Sequence, residues 1–440
     1  MRRAPGRLHQ RGAATLVVVM VLFFVMSLVA AYASRNIIFE QRTSANLYTA
    51  TSTFEAADAG LQWALGFLNG GRIDDNCQKP AGAAVLANPS AYPSFRQRYL
   101  RADEITGNIL IQPGVRDGPM WPSCWFNTVS NAWVCHCPGD PAAPGAIASL
   151  PTASIAPAFS VRFVQLNDST PPSRPGSVRI EIMGCLKFDP ACLTFPAAHA
   201  TECRGTVCAT VALSPGVKSA PAAAITAHNS IAVTGTGLTA AIPRAGMGGY
   251  AAVSGGTISG VSLVGPPGSS VAGGPPSVQN ATALSDPLLW PARMFAAVFG
   301  SWPSTYIEQP GAVRIDCSAT CNADDIRSAV TLNPGLAIVA SGDVTLNGGS
   351  DIGSPAEPVA MVVTGDLGFS AATNVFGLIY VKKANWATAG SGTVTGGVVA
   401  EGQISGSGGF SAIFDPLILG SLGRATGSYV VVPGSWKDFP

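Results

Sequence analysis

The chain opens on a sharp contrast in polarity. Residues 1–12 (MRRAPGRLHQRG) are polar and hold Arg2, Arg3, Arg7 and Arg11 without an acidic residue, whereas Ala13–Ala33 (AATLVVVMVLFFVMSLVAAYA) is almost wholly apolar. About 20 such residues cross a hydrocarbon core of ~30 Å as a helix, and the basic flank is expected to stay on the cytoplasmic side. The apolar pattern continues beyond Ala33. Leu47, Phe54, Ala57, Leu61, Leu65 and Leu68 recur at helical spacing as far as Gly70-Gly71, a doubled glycine that suits a helix stop. Read as one helix, Ala13–Asn69 is a rod of roughly 85 Å at 1.5 Å per residue. Half of it is expected in lipid and half against a globular domain.

Further along, the period changes from that of a helix to that of a strand. Phe159–Leu166 (FSVRFVQL), Ser177–Met183 (SVRIEIM) and Thr206–Leu213 (TVCATVAL) alternate apolar and polar residues, which predicts half-buried strands in a hairpin or meander. Laid against the amphipathic half of the helix, such a sheet buries both apolar faces. From about Ala222 the chain becomes short Val/Ile runs separated by Gly, Ser and Thr, such as GLAIVASGDVTLNG and GTVTGGVVAEGQISGSGG. Loosely recurrent short strands of this kind predict stacked rungs of a β-solenoid, with an irregular sandwich as the rival. Residues 286–300 (DPLLWPARMFAAVFG) are expected to form a helical insert that caps the stack.

Composition sharpens this picture. A formal net charge of +1 with 12% charged residues leaves no basic footprint, so no nucleic-acid partner is expected. With 50 Gly and 34 Pro, the chain reads as turn-rich and extracytoplasmic. The ten cysteines, Cys77, Cys124, Cys135, Cys137, Cys185, Cys192, Cys203, Cys208, Cys317 and Cys321, all lie beyond the apolar segment and are disulfide candidates of an oxidising compartment. Two local disulfides are expected among Cys185, Cys192, Cys203 and Cys208, and a small loop disulfide between Cys317 and Cys321. Sequence does not decide the pairing. The Cys135-His136-Cys137 triplet has a weaker zinc reading, because paired C-x-x-C spacing is absent.

Candidate chemistry is sparse. The four histidines, His9, His136, His199 and His228, are scattered, and no metalloprotease, nucleophile-elbow, phosphate-loop or dinucleotide fingerprint is present. Of the acidic candidates for glycan chemistry, Asp343 and Asp366 each follow Gly at the edge of a strand-like run and read as turn residues, Asp324-Asp325 reads as the cap of a short helix, and Asp316 and Asp351 complete the set without a recognisable site. Calcium at Asn347–Asp351 is a further reading, since oxygen ligands abound there without a known loop pattern. No enzyme activity, metal or cofactor is expected.

The basic leader, Arg11-Gly12, the run AATLVVVMVLFFVMSLVAAYASRNIIFEQRTSANL and FEAADAGLQWAL together resemble the N-terminal region of PilX-type minor pilins over roughly residues 8–70. A shorter likeness, GSYVVVPGSWKDF at 427–439, resembles the ending of long PilX-like proteins. The resemblance implies cleavage between Gly12 and Ala13 by a prepilin peptidase and methylation of the new amine on Ala13. It also implies anchorage in the inner membrane before assembly, then packing of the helix among other pilins and minor pilins of a type IV pilus-like fibre. One position departs from the pattern. Val17 stands where major pilins usually carry Glu, so the ion pair with a neighbouring subunit's ammonium is missing and a tip position is expected.

The sequence thus divides into a prepilin leader (1–12), a transmembrane helix (13–34), its amphipathic continuation (35–70), a Cys-rich pilin-like head (71–216) and a Gly-rich β-solenoid-like unit (217–440). The fold class is α+β, with the last unit either β-solenoid-like or irregular all-β. The expected function is support of pilus assembly, with adhesion as an added role. The competing reading is a secreted solenoid that binds or acts on carbohydrate. It rests on Ala31-Tyr32-Ala33, an A-x-A signal-peptidase site.

Overall fold

The computed structural model describes residues 11–103, 106–115, 120–139, 156–166, 176–187, 192, 194–196, 202–234, 237–242, 248–265, 277–286, 288, 292–381, 385–388, 392–407 and 409–438. The leader expected at 1–12 therefore lies outside the described residues except at its last two positions.

One helix, α1 (Arg11–Leu68, 58 residues), carries the entire N-terminal pattern. Its few hydroxyls do not oppose an apolar setting. Ser27 Oγ donates to the Phe23 carbonyl at 2.8 Å, and Ser34 Oγ, Thr43 Oγ1 and Thr49 Oγ1 donate to carbonyls one turn back. Each of these four hydroxyls is thereby satisfied within the helix, which for Ser27 in the apolar run is what hydrocarbon surroundings require. The rod stops at the predicted place, where Asn69 and Gly70 close the last turn onto Leu65, Gly66 and Phe67 carbonyls.

The head is built on an antiparallel sheet. Its strands are β1 (Ser123–Asn127), β2 (Ala132–His136), β3 (Ala158–Gln165), β4 (Ser177–Cys185) and β5 (Val207–Pro215). The three alternating runs become β3, β4 and β5. The last part of α1, from about Ser52, lies on this sheet, burying Ala57, Leu61, Ala64 and Leu68 against Phe159, Val161, Ile180 and Ile182. Two glycines permit the close approach. A Cβ at Gly60 would lie 2.8 Å from the Phe159 ring, and one at Gly184 would lie 1.9 Å from the Thr53 carbonyl oxygen. Leu47, expected on the buried face, is exposed, because the sheet only reaches α1 from about Ser52 onward.

The alternation predicted one wet face for this sheet, and that expectation is corrected. Arg162, Arg179 and Glu181 on its far side are all buried. Glu181 accepts from Arg162 Nε and Arg179 Nε, each at 3.0 Å, and Arg162 lies over the Trp121 and Phe195 rings at 5.5 and 4.5 Å. Mutual pairing and aromatic cover let charged side chains line an interior. Sequence alternation records polarity and is blind to such pairing.

The ten cysteines form five disulfides, Cys77–Cys137, Cys124–Cys135, Cys185–Cys192, Cys203–Cys208 and Cys317–Cys321. Cys135 and Cys137 are thus consumed by separate bridges and supply no thiolate to a metal, which removes the zinc reading of the triplet.

Between β5 and the last strand of the chain, the described strands pair in parallel. These are β6 (Ala223–Ala227), β7 (Leu238–Ala241), β8 (Tyr250–Ser254), β9 (Val261–Val264), β10 (Ala312–Asn322), β11 (Ala337–Asn347), β12 (Val359–Val363), β13 (Asn374–Val381), β14 (Gly392–Ala400) and β15 (Phe410–Phe414). Their main path runs β9-β7-β15-β14-β13-β12-β11-β10, with β6 joined to β14 and to β8. A four-stranded sheet of short segments accompanies it. Parallel pairing throughout argues against an antiparallel sandwich. Nor is the order that of a coil laid down one rung after the next. The chain first makes β6–β9, crosses to β10 at the far edge, and returns through β11–β15 until β14 meets β6 and β15 meets β7. Adjacent rungs approach through glycine, since Gly377 and Gly396 pair in register with φ of 141° and 135°. A Cβ at Gly396 would lie 2.0 Å from the Gly377 carbonyl oxygen.

Two boundaries change. The insert helix α2 (Ala292–Phe299) packs Phe295 and Phe299 against Tyr380 of the mid-sheet strand β13, at 5.1 and 5.3 Å. It therefore covers a flank of the stack and not its end. The last strand, β16 (Gly427–Val431), pairs antiparallel with β5 at the edge of the head sheet. Residues 217–440 are thus not one unit. The parallel stack is inserted between two neighbouring strands of the head, and its entry and exit touch, with Gly216 N donating to the Thr426 carbonyl at 2.8 Å.

Candidate functional site: the exposed helix and the junction behind it

Every residue from Thr15 to Thr51 is exposed, and up to Phe39 most of them are Val, Leu, Phe, Met, Ile or Ala. One stretch of α1 is long and apolar enough to cross a membrane, with no residue of its most apolar window covered by the rest of the protein. An apolar surface of this size has two favourable environments, a lipid core or a packing of other helices. Arg35, Glu40 and Arg42 mark the end of the charge-free run. Val17 is 58% exposed. Gly12 and Ala13 fall in the first turn of α1, and nothing in the structure bears on cleavage there.

The opposite end of α1 is anchored as firmly as its start is bare. Asn69 Oδ1 accepts from Tyr429 N at 2.7 Å, and its Nδ2 donates to the Tyr429 carbonyl at 2.9 Å. The helix end is thereby paired to β16 like one more strand residue. Arg96, in the short helix Phe95–Tyr99, donates Nε to the Leu68 carbonyl at 2.8 Å, Nη1 to Gly335 at 2.9 Å and Nη2 to Gly427 at 3.0 Å. A cation on the last carbonyls of a helix complements its macrodipole. Here the same cation also ties helix, stack and β16 together. Its guanidinium lies 5.2 Å from the Tyr429 ring centroid, and burial holds its pKa below the usual arginine value. Arg72 adds a second tie, donating Nε to the Thr331 carbonyl and Nη2 to Glu357 at 3.4 Å.

The other singled-out residues do not converge. His9 and His199 lie outside the described residues. His136 is buried with Nδ1 unpartnered, and burial pushes its pKa down, with Asp75 opposing and Arg98 adding to the shift. His228 Nδ1 lies 2.9 Å from Asn229 Oδ1. Asp316 is held below the usual carboxylate range by hydrogen bonds from the Ser318 backbone and side chain. Asp343 Oδ1 accepts from Asp366 N at 2.8 Å, a turn-to-turn contact between rungs. Asn322 is the N-cap of helix Ala323–Leu332, with Asp325 returning the bond to Asn322 N in a capping box.

The calcium reading of Asn347–Asp351 is corrected by charge. Asn347 Oδ1 accepts from Ala323 N and Asp351 Oδ1 from Asn374 Nδ2, while Arg327 donates to the Gly348 and Ser350 carbonyls. A fixed cation already holds the oxygens a metal would need. Among the described residues no group of three or more His, Cys, Asp or Glu is placed to hold a metal.

Tyr429 lies in the C-terminal run 427–439 that resembles PilX-like endings, but nothing there marks its pairing with Asn69 or the insertion of the stack, and Arg96 has no signal in the sequence. Asn69 had one, as the polar residue directly before a glycine helix stop.

Residues 11–62 match the family model described as PilX N-terminal, so this region of the chain is pilin-like, of the PilX type. No curated protein matches the chain. Among solved structures, the competence-associated pilin ComZ from Thermus thermophilus aligns at 12% sequence identity and a TM-score of 0.20, over 89% of this chain and 97% of that chain. A superposition that loose establishes no common fold.

Proposed function

We propose that the chain is a minor pilin of a type IV pilus-like fibre, processed between Gly12 and Ala13 and held in the inner membrane by α1 until assembly. The observation that carries this reading is the coincidence of the PilX N-terminal match with a helix whose first half is bare and apolar while its last turns, from about Ser52, are built into the head. Such a helix is inserted in lipid first and packed among the helices of other pilins afterwards. Val17 supports a place at or near the tip. An apolar residue there makes no ion pair with a neighbouring subunit's amine, an interaction worth having only when both groups are desolvated together. The parallel stack then forms the displayed part, available for adhesion.

Two measurements test the proposal. Intact mass and N-terminal sequencing of the mature chain give Ala13 with a methylated amine if it holds. A chain starting at Ser34 points instead to a signal peptidase acting at Ala31-Tyr32-Ala33 and overturns it. A truncation at Gly216 is a poor probe of display, because it also strips β16 from the head sheet. Excision of Val217–Thr426 with a short linker joining Gly216 to Gly427 keeps that sheet whole. The expected result is fibres that assemble and fail to attach; loss of assembly instead places the stack in priming.

A further inference from the structure

A cleft of about 320 Å³ opens where the head meets the stack. Its lining includes the small apolar residues Pro334, Ala356 and Pro358 and three arginines, Arg96, Arg101 and Arg424. They differ in their bonding. Arg96 is committed to three carbonyls. Arg101, from a short strand (Leu100–Ala102), and Arg424, in the last turn of helix Pro416–Ala425, are both exposed and form no ion pair among the described residues. The lone acidic lining residue, Glu357, is engaged by Gln97 Nε2 at 2.7 Å and by Arg72.

We propose that this cleft binds a small ligand bearing one carboxylate, of the size of a single sugar-acid ring. Guanidinium groups recognise carboxylates through paired N–H donors, and two of the arginines lining the cleft are exposed and outside any ion pair among the described residues. The carboxylate of Glu357 disfavours a doubly charged anion at the same place. The volume lies at the small end of ligand pockets, and lining by proline and alanine suits the C–H face of a ring. A chain of net charge +1 offers a polyanion little overall attraction.

The binding is measured on the full chain in a sugar-free polyoxyethylene detergent, by ligand-observed NMR with D-glucuronate, D-glucose and inorganic phosphate as probes. Glucuronate is expected to bind saturably, with a dissociation constant on the order of 1 mM, and glucose not to bind. Arg101→Gln and Arg424→Gln are each expected to weaken glucuronate about tenfold, with unchanged thermal melting since both side chains are exposed. Equal binding of glucose, competition by phosphate at equal concentration, no saturation by wild type, or no effect of either substitution overturns the proposal. The inference goes beyond the pilin reading and is separable from it. A mature chain starting at Ser34 overturns that reading alone, and absent glucuronate binding overturns this one alone.

Discussion

Replacing Arg96 by glutamine is expected to loosen the junction without unfolding the head or the stack. The substitution strands the buried carbonyls of Leu68 and Gly427 and takes a donor from the half-buried carbonyl of Gly335, which keeps Gly427 N, all three now being reached at 2.8 to 3.0 Å, and it removes the cation beside the Tyr429 ring. An unsatisfied buried carbonyl costs about 1–3 kcal/mol. Because the three share one donor group their losses do not add, and about 3–5 kcal/mol is the expected total, as for breaking a buried charged network. Lysine reaches one of the three carbonyls and recovers about 1–2 kcal/mol. The assay is hydrogen exchange, read on peptides covering β16, where Gly427 N donates to Gly335 and Tyr429 N to Asn69. A local loss of 3 kcal/mol corresponds to protection lower by about a hundredfold. Protection in β12 and β13, which Arg96 does not touch, stays as in wild type. A fall in β16 of less than about fivefold, or an equal fall across β12 and β13, refutes the reasoning, since the first denies the hub and the second denies that it is local.

Gly184→Val places a branched side chain where even a Cβ meets the Thr53 carbonyl at 1.9 Å, so α1 must lift from the sheet. The loss of stability is expected to reach or exceed about 3 kcal/mol, read as a lower melting temperature, and a melt within a degree or two of wild type contradicts the packing. For His136 the sign follows from a pKa depressed by burial. The neutral ring contributes stability fully above its unfolded pKa of about 6.5, and this is lost as pH falls from there towards the folded value. The melting temperature should therefore drop between pH of about 7 and 5.5, and His136→Asn should flatten that slope; an unchanged slope assigns the acid sensitivity elsewhere.

Much of the fold was legible because its determinants are local. A run of apolar residues followed by a helical stripe yields one long helix whatever surrounds it, and the alternating runs yield β3, β4 and β5. The capping of helix Ala323–Leu332 was foreseen at the right segment, although the cap itself is Asn322 and Asp325 closes the box. Two local disulfides, Cys185–Cys192 and Cys203–Cys208, span 7 and 5 residues, where loop closure alone favours neighbours. Cys77–Cys137, at a separation of 60, carries no such bias.

What the sequence determined by itself was therefore the bare helix, its stop at Gly70-Gly71, the strand-rich remainder and the PilX-type N-terminus, all of which rest on interactions within a few residues. Only the tertiary structure decided that the far face of the head sheet is dry, that the stack closes by laying β14 and β15 against β6 and β7, and that β16 returns to β5. Those outcomes pair residues separated by tens to hundreds of positions, as Asn69 and Tyr429 are by 360. Their free energy comes from desolvating groups together, and a polarity pattern along the chain does not say which groups will meet.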